Sequence, residues 1–292
     1  MTHSASSMQD VHCNLCKSHT AFTVATQNGH RMVQCSVCGL VYLNPRPSRQ
    51  MLMAQYEEYH ERDSKNEETW ARLMEGNIEE AVALLNLYLP RKGKLLDIGC
   101  GYGHFLEKMR CQGWSTLGID PSHKVVVSAR AKGLTVIETT IDETAFSGDT
   151  FDAITAFYVL EHVGDPLAVL TKCLSMLRPG GMILLRVPHT TPIVKLLAFF
   201  GLKNNLYDLP FHLYDFSPRT LQVLLEKAGF SSVKFIPGRP TLPEKLWERS
   251  ISIVSVTLAR FLFVASGQRF LLPGTSKTCI ARRAWAGGLL DD

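Results

Sequence analysis

Leu95-Leu-Asp-Ile-Gly-Cys-Gly-Tyr-Gly103 is the stretch on which the fold turns: a short apolar run ends in an acidic residue and passes into a glycine-rich turn that opens a helix. Glycine lets the backbone pass close to a ligand, and the first turn of the following helix offers unpaired N–H groups. Dinucleotide-binding proteins use a similar device, but their G-x-G-x-x-G spacing is not matched here. Seventeen residues beyond Gly103, Gly118-Ile-Asp120 places a carboxylate at the end of the next apolar run, where it can accept both hydrogens of a ribose diol. Together the two motifs are far more specific than either alone.

Outward from this stretch, short apolar runs alternate with helical segments. KLLDIG (94–99), STLGID (115–120), LTVIET (134–139), FDAITAF (151–157) and MILLRVP (182–188) are the candidate strands. HFLEKMRCQ (104–112) and HKVVVSARAKG (123–133) lie between them as helices. That alternation predicts a doubly wound α/β fold with a parallel sheet covered on both faces. Asp165 caps a helix with Pro166 in its first turn, and Arg178-Pro-Gly-Gly181 is expected to terminate it. In SPRTLQVLLEKAGF (217–230), Ser217 is the cap, Pro218 sits in the first turn and Gly229 is the stop.

Upstream, MLMAQYEEYHER (51–62) and IEEAVALLNLYL (78–89) carry apolar residues at helical spacing and end at the Pro90-Arg-Lys-Gly93 turn. The chain divides into an N-terminal module over 1–47, a helical linker or lid over 48–93, a ligand-binding domain over 94–240 and a C-terminal segment over 241–292 that completes it. A length of 292 residues accommodates one large α/β domain plus a small attachment. With 46% hydrophobic and 20% charged residues the composition is globular, neither disordered nor membrane-spanning.

The eight cysteines separate into two groups. Cys100, Cys111, Cys173 and Cys279 are scattered, with no disulfide framework. Cys13-Asn-Leu-Cys16 and Cys35-Ser-Val-Cys38 are two C-x-x-C knuckles separated by the strand-like AFTVAT (21–26). Such a pattern suits a tetrahedral zinc-thiolate site closed by four protein ligands, which makes the zinc structural and the module a zinc ribbon. The polar start, MTHSASSMQD, lacks the apolar stretch of a secretory signal, so a cytoplasmic location is the default expectation.

In order along the chain, LLDIGCGYG, GIDPS, FDAITAFYVLEHVGDP and LRPGGMILLRVP resemble the first motif, the second-strand acid, the fourth-strand region and the fifth strand of class I S-adenosylmethionine-dependent methyltransferases. The resemblance covers most of the chain and extends to the broad bacterial group whose members carry an N-terminal zinc-binding ribbon. It implies a Rossmann-like methyltransferase sheet with S-adenosyl-L-methionine as methyl donor. Asp97 would orient the methionine ammonium; Gly99, Cys100, Gly101 and Gly103 would admit the amino-acid portion; Asp120 and Pro121 would hold the ribose. Thr140, Ile141 and Asp142 fall where the family surrounds adenine, although many relatives have an acid at the position of Thr140. Phe157 and Tyr158 would wall the sulfonium. His162, His212 and Tyr214 would face the acceptor, where a histidine can take a proton near neutral pH.

The implied reaction is methylation of a small molecule or sugar-like biosynthetic intermediate at oxygen, nitrogen or carbon. Alignment on an already activated donor supplies much of the rate, so an obligatory base is not required. RNA methylation is the alternative for a ribbon joined to this fold; between Val11 and Asn44, however, the only formal charges are Lys17 and Arg31, with no stacking platform. The net charge of +4 does not by itself announce a nucleic-acid partner. A non-catalytic methyltransferase-like binding protein is a further alternative, opposed by the intact glycine turn and Asp120. A nicotinamide oxidoreductase is a weaker one.

From Ser231 to Arg283 nine basic residues face only Glu244 and Glu248. Within LWERSISIVSVTLARFLFVASG (246–267), Trp247, Ile251, Val254, Leu258, Phe261 and Ala265 share one helical face. That face is expected either to pack on the catalytic domain or a second subunit, or to form a basic apolar surface that admits a lipid-linked acceptor or touches an anionic membrane.

Overall fold

In the computed structural model the described residues are 8–52, 67–239, 246–267, 271–272 and 276–285, with no side-chain description at 247–249 or 251–252. Most of MLMAQYEEYHER, the expected first helix of the linker, lies outside this set, as do the side chains of Trp247 and Ile251.

The N-terminal module begins with β1 (Met8–Gln9), which pairs with β5 (Arg46–Pro47). Between them, β2 (Ala21–Gln27), β3 (His30–Cys35) and β4 (Val41–Leu43) form antiparallel neighbours. The β2–β3 turn is Asn28-Gly29, both with positive φ, the geometry of a two-residue hairpin turn matched to strand twist. β11 (Tyr214–Asp215), far along the chain, pairs with β4 as the fourth strand of this sheet. The ribbon is therefore stitched into the rest of the fold.

The large sheet contains β6 (Lys94–Ile98), β7 (Ser115–Asp120), β8 (Val136–Glu138), β9 (Phe151–Phe157), β10 (Leu177–Val187), β12 (Ser231–Pro237) and β13 (Lys277–Arg282). Its order is β12-β13-β10-β9-β6-β7-β8. The strands from β8 to β10 are parallel, and β13 runs antiparallel between β10 and β12. Chain order reverses between β6 and β9, and at such a switch point a crevice opens beyond the carboxyl ends of the strands.

The helices that accompany the sheet among the described residues include α1 (Glu67–Tyr88), α2 (His104–Cys111), α3 (His123–Ala131), α4 (Pro166–Met176), α5 (Thr191–Phe199), α6 (Pro218–Ala228) and α7 (Leu246–Ala265). Asp165 accepts the N–H groups of Leu167 and Ala168 at the start of α4, and Ser217 accepts that of Thr220 at the start of α6. Gly229 ends α6 at φ 99°. Arg178-Pro-Gly-Gly181 does not form a separate stop after α4: the helix gives way directly to β10, and these residues make an irregularity within that strand.

Both faces of the sheet are dry. Leu96, Ile98, Ile154, Ile183 and Leu185 join one buried cluster, while Leu95, Ala153, Met182 and Leu184 join another. Alternate residues thus point to opposite faces and both are apolar, which is why the strands read as nearly continuous hydrophobic runs. The first cluster runs on without a break into the ribbon through Met32, Tyr42, Leu43 and Tyr214.

Candidate active site

A cavity of about 400 Å³ opens at the carboxyl ends of β6, β7 and β9. Asp97, Gly99, Cys100, Gly101, Asp120, Pro121, Thr140, Ile141, Phe157, Tyr158, His162 and His212 line it. Gly103 and Asp142 do not: Gly103 packs under Leu134 at the start of α2, and Asp142 is exposed.

The glycine turn is shaped by positive φ at Gly99, Gly101 and Gly103. At Gly99 a Cβ would stand 2.5 Å from Val159 Cγ2, so no side chain fits. Asp120 braces the turn: Oδ2 accepts Gly101 N–H and Oδ1 accepts Ser122 N–H, both at 2.9 Å. A carboxylate oxygen can accept more than one hydrogen bond, so one backbone N–H at each oxygen does not exhaust what such a group can accept. Asp97 is buried at the end of β6 and accepts the Thr155 hydroxyl at 2.6 Å. Burial, reinforced by the charge of Asp120 and opposed by Thr155, pushes its carboxyl up to about 7.

Thr140 Oγ1, in the cavity lining, is buried without a hydrogen-bond partner among the described residues. Buried polar atoms are ordinarily paired, so this hydroxyl is an exception within the cavity wall. Tyr158, at φ 57°, is held from behind: its hydroxyl accepts from Arg186 Nε at 2.8 Å. Arg186 is itself buried and pairs with Glu80 of α1, which also binds Arg260 of α7 and the Thr278 hydroxyl. Sequence reading did not single out this network, nor Trp70, Met74 and Ile78 of α1, which close the cavity over the glycine turn. A helix with apolar residues at regular spacing carries the same signal whether it covers a core or a pocket.

His162 and His212, both in the cavity lining, meet edge to face with ring centroids 4.7 Å apart. Phe211 O accepts from His162 Nδ1 at 2.9 Å. Burial drives His212 down to about 4, so its imidazole is neutral at neutral pH. The expected third member, Tyr214, is a correction. It lies buried under the ribbon, outside the cavity lining, where its oxygen accepts from Arg46 and its O–H lies between Asn14 Oδ1 at 2.8 Å and Gly164 O at 3.0 Å. β11 begins at Tyr214 and pairs it with Tyr42 of β4, in the buried cluster that the ribbon shares with the rest of the fold.

In the ribbon, Cys13, Cys16, Cys35 and Cys38 bring their sulfurs within 4.8 Å of one another. Cys13 and Cys38 are 3.4 Å apart and Cys16 and Cys35 3.5 Å. A tetrahedral zinc with bonds of about 2.3 Å needs sulfur separations of about 3.8 Å, so the set fits that ion with little movement. The two knuckles close alike, Lys17 N–H to Cys13 O and Gly39 N–H to Cys35 O, each with positive φ at the donor residue.

Residues 70–234 match the family model described as a methyltransferase domain. The chain is 36% identical over 160 residues to the ubiquinone biosynthesis O-methyltransferase of Cereibacter sphaeroides, a match covering 51% of this chain and 65% of that protein. It is 38% identical over 128 residues to the enzyme of the same name from Rhizobium etli, covering 41% and 52%. The chain thus spans less than two thirds of the length of these curated relatives. Its fold is similar to that of a SAM-dependent methyltransferase from Archaeoglobus fulgidus, with 21% identity, coverage of 73% and 98%, and a TM-score of 0.51. It is also similar to phosphoethanolamine N-methyltransferase 2 of Haemonchus contortus in complex with S-adenosyl-L-methionine, with 15% identity, coverage of 78% and 60%, and a TM-score of 0.51.

Proposed function

The chain belongs to the methyltransferase-domain family, and from that premise we propose that it transfers a methyl group from S-adenosylmethionine to a hydroxyl of a small biosynthetic molecule. The observation that carries this reading is one cavity lined by two chemically different sets of groups. Asp97, the glycine turn, Asp120 and the Thr140 hydroxyl supply polar groups from the ends of the strands and the turn, and the imidazoles of His162 and His212 line the same cavity. Oxygen is favoured as the acceptor atom because both ubiquinone biosynthesis relatives are O-methyltransferases.

The donor supplies a methyl group already activated on a sulfonium. Asp97, once ionised, answers the ammonium of the donor's amino-acid part, Asp120 accepts from the ribose, and Thr140 Oγ1 meets the polar edge of adenine. Phe157 and Tyr158 wall the region between, with Phe157 set edge to face on Phe105 at 5.2 Å and Tyr158 held by Arg186. His212, kept neutral by burial, presents a lone pair rather than a charge to the cavity. The four ribbon cysteines hold a structural zinc.

The C-terminal segment favours a second element of the reading, contact with a lipid surface that carries the acceptor. Of the apolar face expected in α7, the described members Val254, Leu258, Phe261 and Ala265 are exposed, and the helix buries Ala259 instead. Phe199, Phe200 and Leu202 at the end of α5 are also exposed, Phe199 to 83%. Neither 189–206 nor 249–267 contains an acid, and the two stretches carry Lys195, Lys203, Arg249 and Arg260. No described helix is long and apolar enough to cross a membrane, so the contact would be superficial.

Calorimetry with S-adenosylmethionine and S-adenosylhomocysteine, followed by an acceptor screen of aromatic and aliphatic alcohols, tests the central reading. Donor binding in the micromolar range with methyl transfer to at least one hydroxyl is expected. Binding of NAD in place of either compound, or methylation of RNA but no small molecule, would overturn it.

A further inference from the structure

Glu161 precedes His162 in Val159-Leu-Glu-His-Val163 and is completely buried. Its backbone carbonyl accepts from Leu213 and Tyr214 N–H, yet neither side-chain oxygen has a hydrogen-bond partner among the described residues. A buried carboxylate left unpaired is costly, and such groups ordinarily face an opposite charge or an ion. The groups in front of it are histidines. One Glu161 oxygen, one nitrogen of His162 and one nitrogen of His212 lie within 4.8 Å of one another, and both imidazoles also line the donor cavity.

We propose that Glu161, His162 and His212 form a binding site for a divalent first-row cation at the wall of the cavity. Two imidazoles and one carboxylate on one side, with the remaining positions open, suit ions such as Mn²⁺, Fe²⁺ or Co²⁺ rather than the oxygen-loving Mg²⁺ or Ca²⁺. The Phe211 carbonyl, 2.9 Å from His162 Nδ1, can only accept, so Nδ1 carries the proton and Nε2 the lone pair. An orienting carbonyl of this kind commonly stands behind a metal-bound histidine. The site is distinct from the ribbon, whose four thiolates suit zinc.

The role of the ion rests on the methyl-transfer reading. An acceptor hydroxyl that takes an open position on the cation loses its proton to solvent more readily, because the metal stabilises the oxyanion. The oxygen then forms its bond to the methyl carbon as the sulfur–methyl bond breaks and the sulfur keeps the bonding pair. The imidazoles thus contribute by holding the ion, and neither needs to remove the proton itself.

The test is Mn²⁺ binding to full-length, zinc-replete protein, followed by electron paramagnetic resonance. One bound Mn²⁺ per chain is expected, weakened about tenfold or more in Glu161→Gln and His212→Ala, the range that loss of a ligand or its support brings. Circular dichroism and the thermal unfolding midpoint serve as the folding control in each variant. Should a variant fail that control, Glu161→Asp is measured instead: it retains a carboxylate one methylene shorter, and altered Mn²⁺ hyperfine features are expected. Absence of stoichiometric Mn²⁺ binding to the native chain, or unchanged binding in Glu161→Gln and His212→Ala, would overturn the site. Mn²⁺ binding at Glu161 without any donor binding would leave the site standing and remove the methyl-transfer reading.

Discussion

Asp120 Oδ2 accepts the backbone N–H of Gly101 at 2.9 Å, which ties the end of β7 to the middle of the glycine turn that follows the neighbouring strand β6. The residue proposed to hold the donor's ribose therefore also holds the loop that admits its amino-acid part. Asp120→Ala should lose both functions, weakening S-adenosylmethionine binding by about 1.5–3 kcal/mol, roughly a tenfold to hundredfold rise in Kd. Asp120→Asn keeps one acceptor oxygen and should fall between the two. Gly101→Val should be the most severe, since φ there is 51° and Trp70 closes over the position. Equal donor affinity in all three folded variants would contradict the assignment.

Asp97 makes donor binding sensitive to pH. Its folded carboxyl, raised from 3.8 to about 7 chiefly by burial and secondarily by Asp120, is largely protonated in mildly acidic solution. Its contribution to stability is fully present below about 3.8 and is lost as pH rises through about 7, because burial disfavours the charged form. A donor ammonium reverses that preference, so binding must expel a proton below about 7. Donor affinity should fall as pH drops from about 8 to about 6, with proton release visible as a dependence of binding enthalpy on the buffer. Asp97→Asn should bind more weakly and lose the pH dependence. A native affinity that stays flat over this range would show that Asp97 does not meet a cation.

What could be read from the sequence divides along a physical line. The sheet, the caps at Asp165 and Ser217 and the stop at Gly229 were legible because each depends on local chemistry: apolar runs, a short polar side chain, a residue at ease with positive φ. The polar track at Asp97, Gly99, Gly101 and Asp120 was legible for the same reason, as it is built from strand ends and one turn. Trp70, the Glu80–Arg186 pair and the orphaned Glu161 were not. Their meaning comes from partners far away in the chain, such as Arg186 and Thr278, 106 and 198 residues from Glu80, and no local pattern records such a meeting. Tyr214 shows the converse error, since its neighbour His212 does line the cavity while Tyr214, paired with Tyr42 of β4, lies in the buried cluster shared with the ribbon.

Tyr214→Phe should therefore affect stability rather than chemistry. The phenol joins Arg46, Asn14 and Gly164 across the seam between ribbon and catalytic domain. Removing the hydroxyl leaves those groups short of a partner in a buried place, at a cost of about 1–3 kcal/mol. Chemical denaturation should report that loss, while KM for donor and acceptor stays within about twofold of the native values, as expected for a residue outside the cavity. A large fall in kcat with unchanged stability would return Tyr214 to the active site.

The ribbon should carry one tightly held zinc per chain, lost on Cys38→Ser or prolonged treatment with a strong chelator. Structural zinc contributes to folding outright in modules too small to keep a core alone. Here the ribbon shares its core with the catalytic domain and lends β4 to β11. Metal loss should consequently lower the Tm of the whole chain and raise hydrogen exchange at 213–215, not only within the first 47 residues. Protein purified without chelator that contains no zinc and has all four thiols free would remove the metal assignment.

The exposed apolar surfaces of α5 and α7 give the final prediction. Phe199 and Phe261 are large, apolar and mostly exposed, at 83% and 67%. The segments that bear them are basic and free of acids apart from Glu248 at the start of α7. If a lipid surface covers them, apolar insertion and attraction to anionic headgroups act together, and the second declines as salt screens it. Full-length protein should co-sediment with vesicles containing phosphatidylglycerol, bind less to vesicles of phosphatidylcholine alone, and be released progressively by sodium chloride. Phe199→Asp with Phe261→Asp should abolish sedimentation while leaving S-adenosylmethionine affinity unchanged, because neither side chain lines the donor cavity. The same double variant should retain turnover on a short water-soluble acceptor and lose it on a long-chain acceptor presented in vesicles. Equal turnover of both acceptors, or equal binding to neutral and anionic vesicles at every salt concentration, would rule out the electrostatic membrane contact. Concentration-dependent dimers broken by the double variant would instead assign the two faces to a second copy of the chain.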